Sequence, residues 1–213
     1  MIYYIFVQDN TPIPMSTGID THFVQEHYAQ MSDKELIHFF SHDAQGLTPA
    51  ALAIAKEEVQ KRGLDPRLST ALELQNKPTL ATDEVDYYCN LLRNLQCPHC
   101  ETNNKLLNAT MVSEVMSFIF ITHHQQRLKI GCPDCLDNAI HKAQAKTLIL
   151  GWWGIPWGII RSISAIASNV KFKKQNHAEE ANEVLRNFVQ ANVGQLVMRK
   201  DHKQALQNLI TTE

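Results

Sequence analysis

Several features that would place this chain in a common class are scarce. Its 213 residues include eight Gly and eight Pro, which excludes collagen-like and low-complexity chains. Five Cys are too few for a disulfide scaffold of this length. A formal net charge of −2 gives no overall attraction to nucleic acid. With 44% apolar and 20% charged residues, the chain has enough apolar surface to fold as one domain or two small ones.

Long hydrophobic runs are also missing, since no stretch of 18 apolar residues is free of charge. Residues 1–7, MIYYIFV, lack the basic start and the cleavage site of a signal peptide, and their composition favours a strand. We therefore expect a location in the cytoplasm, or peripheral or monotopic at the inner face of the cytoplasmic membrane. A reducing compartment also suits cysteines that act as metal ligands.

The near-neutral total conceals an uneven distribution of charge. Residues 1–96 carry a balance of −6, whereas residues 138–178 contain six basic residues and no acidic ones. The basic segment is also the most apolar part of the chain. Two interpretations stay open: attraction to an anionic membrane face, or packing of the basic segment on the acidic front.

Helix start and stop signals recur through residues 21–96. In the capping box at Ser32–Glu35, a hydroxyl and a carboxylate each satisfy the other residue's backbone N–H. Pro at a first helical position and Gly just past a helix end give further boundaries. The four helices predicted here begin at Ser32, at Thr48-Pro49 with a stop at Gly63, at Asp65-Pro66, and at Thr82 or Asp83.

Strand composition appears only in the middle of the chain. Residues 105–112, 115–122 and 126–130 favour three strands, with breaks near Ser113-Glu114 and His123-His124. Helical patterns return afterwards, at 134–150, 156–170, 177–193 and 201–211.

The pattern predicts an α+β fold, mostly helical, with a small antiparallel zinc-ribbon sheet in the middle of the chain. We expect four parts: an N-terminal strand and helical region (1–96), a zinc ribbon (97–137), an apolar helical hairpin (138–172) and C-terminal helices (173–213).

Two C-x-x-C motifs carry the clearest chemical signal. Cys97-Pro-His-Cys100 and Cys132-Pro-Asp-Cys135 each place two sulfurs on one tight turn, and four thiolates bind zinc tetrahedrally. The 31 intervening residues would form the ribbon sheet. Four protein ligands close the site, so the sequence predicts structural rather than catalytic zinc at Cys97, Cys100, Cys132 and Cys135. A disulfide pair, a thioredoxin-like redox pair and an iron–sulfur cluster are weaker alternatives.

Four other potential ligands are interpreted differently. Cys89 falls on the apolar side of a predicted helix and is expected in the core. His99 is expected to turn outward. His123 and His124 are expected at a hairpin tip rather than on a second metal ion, because two adjacent residues rarely face one ion.

Residues 148–160 form a charge-free apolar segment that includes all three Trp. It is too short to cross a bilayer as one helix, and its Gly and Pro favour a helical hairpin that turns at 151–156. The hairpin could be buried, inserted in a membrane, or a surface for a protein partner. The residues predicted for a membrane or partner surface are Trp152, Trp153, Ile155, Trp157, Ile159 and Ile163.

The second arm of this hairpin has two distinct faces. An apolar stripe follows 4-3-4 spacing, and a ridge of small residues is suited to close helix contact. The stripe comprises Ile159, Ile163, Ile166 and Val170, and the ridge comprises Gly154, Gly158, Ser162 and Ala165.

The two C-P-x-C motifs followed by Gly-Trp-Trp-Gly-Ile-Pro-Trp-Gly at 151–158 resemble a group of uncharacterised bacterial zinc-ribbon proteins. In that group a short helix ending in Asn follows, as at Asn169 here. Residues 31–63 also resemble a helix pair of small bacterial proteins. The resemblance covers 31–63 and 97–170 and implies a zinc ribbon but no reaction. A looser resemblance is to monotopic zinc ribbons of the LITAF type, whose apolar stretch lies between the knuckles rather than after them.

The chain contains no P-loop, no G-x-S-x-G, no H-E-x-x-H and no dinucleotide fingerprint, so we expect no enzymatic activity and no small-molecule substrate. The favoured hypothesis is a non-catalytic, zinc-stabilised adaptor or scaffold that binds a protein partner, of an inhibitor or immunity type among others, with the hairpin as a membrane anchor. The alternative is a zinc-ribbon nucleic-acid-binding protein. A ribbon charge of −1 over 97–137 and only two ribbon aromatics, Phe118 and Phe120, disfavour that alternative.

Overall fold

A computed structural model describes residues 21–118, 121–153 and 156–211. The strand predicted at residues 1–7, Gly154, Ile155 and Phe120 lie outside the described residues. The described elements are α1 (Thr21–Gln30), α2 (Asp33–His42), α3 (Pro49–Lys61), α4 (Arg67–Gln75), α5 (Thr82–Arg93), β1 (Asn108–Phe118), β2 (Ile121–Gly131), α6 (Pro133–Leu150), α7 (Trp157–Lys173), α8 (Glu183–Ala191), α9 (Val193–Arg199) and α10 (Lys203–Thr211). The predicted fold class, mostly helical with a small antiparallel sheet in mid-chain, is confirmed.

The helix boundaries in the first half follow the local signals. Ser32 and Glu35 form the capping box, with the Ser32 N–H donating to the Glu35 carboxylate at 2.8 Å. Thr48 caps α3, and Gly63 after its end has φ +61°, a conformation that Gly adopts without a steric penalty.

Two helix starts differ from the prediction. The cap of α5 is Ala81 rather than Thr82 or Asp83, because the Glu84 carboxylate accepts the Ala81 N–H at 3.2 Å and no side-chain hydroxyl is needed. Helix α1, for which no start was predicted, begins at Thr21 among the described residues, and tertiary contacts satisfy its end: Arg62, the C-cap residue of α3, donates to the carbonyl oxygens of Tyr28 and Ala29 at 2.8 and 3.0 Å.

The helix predicted over 177–193 is wrong in its first part. Helix α8 begins at Glu183, because the Asn182 side chain accepts the Leu185 N–H and donates to the carbonyl of Ala109 in β1. The segment before α8 is thereby tied to the sheet instead of continuing as helix.

The middle of the chain forms two long strands and not three. β1 and β2 pair antiparallel from Asn108 opposite Gly131 to Phe118 opposite Ile121. Ser113 and Glu114 lie inside β1, and His123 and His124 lie inside β2 rather than at a hairpin tip. Strand pairing accommodates these polar residues: Ser113 is buried, with its hydroxyl accepting from the Gln126 amide at 3.3 Å, whereas His123 and His124 are both exposed.

The helices enclose two larger hydrophobic cores, one of which includes the sheet. The first is enclosed by α1 to α4 around Phe40, Leu68 and Leu72. The second lies between four helices (α5, α8, α9 and α10) and the sheet, where it contacts the start of β1 and the end of β2. It is centred on Leu92 and Leu107 and includes Cys97 and Cys132. The metal-binding motifs are therefore part of the larger core.

Helices α6 and α7 form the predicted hairpin, and together they seal the free edge of β1. Asn169 of α7 accepts the Ser113 N–H and donates to the Ser113 carbonyl, both at 2.8 Å. The Thr147 hydroxyl of α6 accepts the Val115 N–H at 3.1 Å. At Ser113 and Val115 these side chains take the place of a neighbouring strand, so these backbone groups are not open to pairing with another chain.

We predict that Asn169→Ala lowers the free energy of unfolding by about 2–5 kcal/mol, because it leaves a buried N–H and a buried carbonyl of Ser113 without partners. Urea denaturation measures the change. Ser164→Ala, at an exposed position of the same helix, is the control and is expected within about 0.5 kcal/mol of the natural chain. A similarly small effect for Asn169→Ala would contradict the edge-sealing role.

Candidate metal centre and apolar tip

The structure brings all four predicted cysteines together. The sulfurs of Cys97, Cys100, Cys132 and Cys135 lie within 4.8 Å of one another, and those of Cys100 and Cys132 are 3.6 Å apart. A tetrahedral ion with metal–sulfur bonds of about 2.3 Å separates its sulfurs by about 3.8 Å. The arrangement is therefore compatible with a structural metal site.

The first knuckle is a tight turn at the end of α5. The Cys97 N–H donates to the Thr102 carbonyl, and the Glu101 N–H donates to the Cys97 carbonyl, both at 2.9 Å. Glu101 has φ +58°, in the left-handed region that few side chains adopt. This residue turns the chain back so that both sulfurs point to one side.

The second knuckle coincides with the start of α6. Cys132 is the N-cap residue and Pro133 occupies the first turn, where its missing N–H leaves no helix hydrogen bond unmade. The Cys132 N–H donates to the Cys97 sulfur at 3.3 Å, which links the two knuckles directly. Thiolates at a helix N-terminus are stabilised by the helix dipole.

Hydrogen bonds and burial affect the thiols differently. A hydrogen bond with the Thr102 hydroxyl, at 3.2 Å, lowers the pKa of Cys100 to about 6. Burial raises the pKa of Cys132 and that of Cys135 above the usual thiol range. Without a metal these two thiols are protonated at neutral pH, and a cation that binds them would have to displace both protons.

Lys105 and Asp134, which the sequence analysis did not single out, form an ion pair across the two knuckles. Lys105 follows the first knuckle and Asp134 lies within the second. The hydrogen bond and the charge of Asp134 raise the pKa of Lys105, with smaller contributions from Cys132 and Cys100, so this cation lies where it compensates part of any negative charge on the sulfurs.

The remaining ligand candidates are apart from the cluster. Cys89 is buried in α5, and burial raises its pKa to about 11, as expected for a core thiol. His99 is exposed, as predicted, with its ring over Gly131, where a β-carbon would lie 2.9 Å from the imidazole. Among the described residues, the four cysteines are the one cluster able to hold a metal ion.

The other predicted site residues lie at the far end of α6 and α7. We call this surface the apolar tip; it comprises Leu148, Ile149, Trp152, Trp153, Trp157, Ile159, Ile160 and Ile163. Every member is exposed, with Trp153 at 69% and Trp157 at 62%. The interpretation of a fully buried hairpin is therefore wrong for this end of the helices.

The two faces of α7 explain this exposure. The small-residue ridge at Gly158, Ser162 and Ala165 is buried against the sheet and α6, whereas Ile159 and Ile163 point outward. A β-carbon on Gly158 would lie 2.7 Å from the Ser117 hydroxyl, and one on Gly151 would lie 2.1 Å from the Ser162 hydroxyl. The Gly residues thus allow α6, α7 and β1 to approach closely, which fixes the base of the tip.

The described part of the acidic front, residues 21–96, forms no ion pair with the basic segment. Among the described residues, its ion pairs are Lys146 with Glu114 and Lys173 with Asp137, within the sheet and α6 rather than residues 21–96. No described helix has the length and apolar character needed to cross a bilayer.

Comparison of the chain with protein-family models, curated proteins and solved structures found no match. The resemblance to bacterial zinc-ribbon proteins is therefore supported only by the clustering of the four cysteines.

We predict that the natural chain binds one metal ion and that Cys132→Ser binds none and loses the ordered 97–137 unit, because a structural metal supplies about 10–16 kcal/mol of apparent binding free energy. Elemental analysis and circular dichroism measure the two effects. Cys89→Ala is the control and retains the full metal content. An unchanged melting curve for Cys132→Ser would contradict a structural metal.

We also predict that metal binding at pH 7 releases at least two protons, from Cys132 and Cys135. Because acid favours the protonated thiols, metal affinity falls as the pH is lowered, by about 100-fold per unit for two protons. Competition with a chelator of known pH dependence, between pH 6.5 and 8, gives the slope. An affinity independent of pH would mean that the four thiols are not the ligands.

Proposed function

We propose that this chain is a non-catalytic adaptor, stabilised by structural zinc, which docks on an anionic membrane face through the apolar tip and offers its helices to a protein partner. The observation that carries the proposal is the cluster of exposed Trp and Ile side chains on a rigid base. Monomeric soluble proteins rarely expose a large contiguous apolar surface without a binding function.

Zinc is the metal that this ligand set favours. Four cysteine sulfurs in a compact group match the tetrahedral thiolate sites in which zinc has a structural role. With four protein ligands the ion has no open coordination position for water or substrate. The proposal accordingly assigns no reaction to the metal centre.

A membrane suits the tip better than a protein surface does, for two reasons. Trp side chains prefer the membrane interface, where the ring is apolar and its N–H remains hydrated. The tip contains no carboxylate, and the cations Lys146 and Arg161 lie four residues from the end of α6 and from the start of α7, respectively. Four residues of helix place these charges about 6 Å from the two helix ends, at headgroup depth when those ends enter the interface.

We assign the protein partner to the N-terminal helices, which lie outside the apolar tip. Residues 1–96 carry a charge of −6, which an anionic membrane repels. A chain that inserts its basic end therefore turns its acidic end toward the cytoplasm. This polarity is what supports the adaptor role.

We predict that the natural chain binds vesicles of phosphatidylglycerol and phosphatidylcholine, and that the double variant Trp153→Gln/Trp157→Gln binds them about 100-fold more weakly. Each Trp would transfer more than 100 Å² of apolar surface from water, so each loss costs at least about tenfold. Vesicle co-sedimentation measures the partition coefficient.

Tyr87→Gln is the matched control, since Tyr87 is an exposed aromatic residue of α5, 51% accessible, outside the tip. It should bind vesicles as the natural chain does. Absence of vesicle binding at every lipid composition would refute membrane docking. A dimer in solution that the double variant abolishes would instead assign the tip to a second copy of the chain.

A further inference from the structure

A groove of about 470 Å³ runs between β2 and α6, from the metal centre toward the apolar tip. Its floor is formed by Val112, Ala139 and Ala143, which join sheet and helix. One end is lined by His99 and Cys135, beside the metal centre. The opposite end is lined by Lys146, close to the tip.

Four cations line this groove, although sequence counting gives the ribbon a charge of −1. Arg127 and Lys129 are alternate residues of β2 and therefore share one face of the sheet. Lys142 and Lys146 are four residues apart on α6 and share one face of the helix. The register of β1 and β2 and the packing of α6 on the sheet bring the two pairs together. The sequence pattern alone did not predict this proximity.

The protein itself does not neutralise this charge. Glu114 is the single acidic side chain that lines the groove, and it is paired with Lys146. Within the described residues, Arg127, Lys129 and Lys142 have no carboxylate partner, and Arg127 donates instead to the neutral Gln125 amide at 2.7 Å. The metal thiolates have a different cation beside them, Lys105. The three cations repel one another, and an anion bound in the groove would offset this repulsion.

We propose that this groove binds a phosphate group. The Arg127 guanidinium offers a planar pair of N–H donors that match two phosphate oxygens, and Lys129 and Lys142 add point charges from either wall. The three unpaired cations carry more positive charge than a phosphate diester or monoester carries negative charge (about −1 and about −2 at pH 7), so either group is attracted. Among the described residues, no Phe, Tyr or Trp lines the groove to stack on a base, which favours an isolated phosphate group over a single-stranded nucleic acid.

Two sources supply the same group: the headgroup of an anionic phospholipid and a soluble phosphate ester. The position of Lys146, about 6 Å from the end of α6, would place one end of the groove at headgroup depth. Binding of phosphate itself does not depend on membrane docking, so the two proposals can fail separately.

The test is an NMR titration of the zinc-loaded chain with inorganic phosphate at low salt. We expect saturable shifts of the Arg127 side-chain signal and of the Lys129 and Lys142 amides. Arg127→Gln/Lys142→Gln should weaken phosphate binding at least tenfold. Lys34→Gln/Lys203→Gln, which removes two exposed positive charges elsewhere, should leave phosphate binding unchanged. Metal content and melting temperature of both double variants verify that the fold is intact.

Non-saturable shifts, or equal weakening in both double variants, would overturn the proposal, since either result means general charge attraction. Salt-dependent binding of a single-stranded RNA oligomer that is far tighter than phosphate binding, and that Arg127→Gln/Lys142→Gln abolishes, would assign the groove to nucleic acid and overturn it as well.

Vesicles distinguish the two sources of phosphate. If Arg127→Gln/Lys142→Gln loses the preference for phosphatidylglycerol over pure phosphatidylcholine, the phosphate is that of a lipid headgroup. If that preference is kept while inorganic phosphate no longer binds, the ligand is a soluble ester. Phosphate shifts that persist in Trp153→Gln/Trp157→Gln, with vesicle binding lost, would separate the groove from the tip.

Discussion

The structure depends on holding four sulfurs within 4.8 Å of one another. Buried thiolates repel each other, and two of the thiols have pKa values raised by burial, so the cluster needs a cation to be stable as an ionised group. A bound cation would join the segment after α5, the end of β2 and the start of α6 at one point, where the Cys132 N–H already donates to the Cys97 sulfur.

Helix α6 transmits that constraint through the molecule. Its 18 residues extend about 27 Å from the metal centre to the apolar tip. Along this path Thr147 and Asn169 seal the edge of β1, and the glycines at 151 and 158 let the helices meet the sheet without a gap. The exposed Trp and Ile side chains are thus held on a rigid support. Because the support is rigid, these side chains remain available to bind a surface instead of packing against one another.

Sequence reasoning found what short patterns encode. The C-x-x-C spacings predicted the four cysteines that cluster, and the Gly and Pro of residues 151–158 predicted a break between two helices. It failed where partners are distant in the chain: α1 is completed by Arg62 of α3, and the start of α8 is set by Asn182 bound to β1. The basic groove was hidden for the same reason, because its cations come from two elements whose register only the folded sheet defines.

The measurement that tests this account most directly is X-ray absorption at the zinc edge on the chain purified without a metal-binding tag. Four sulfur neighbours at about 2.3 Å, with one zinc per chain, is the result that the account predicts. A metal-free chain with free or disulfide-bonded cysteines that keeps the same fold would contradict it. Nitrogen or oxygen neighbours in place of sulfur would do so equally, since the described ligand set consists of cysteines alone.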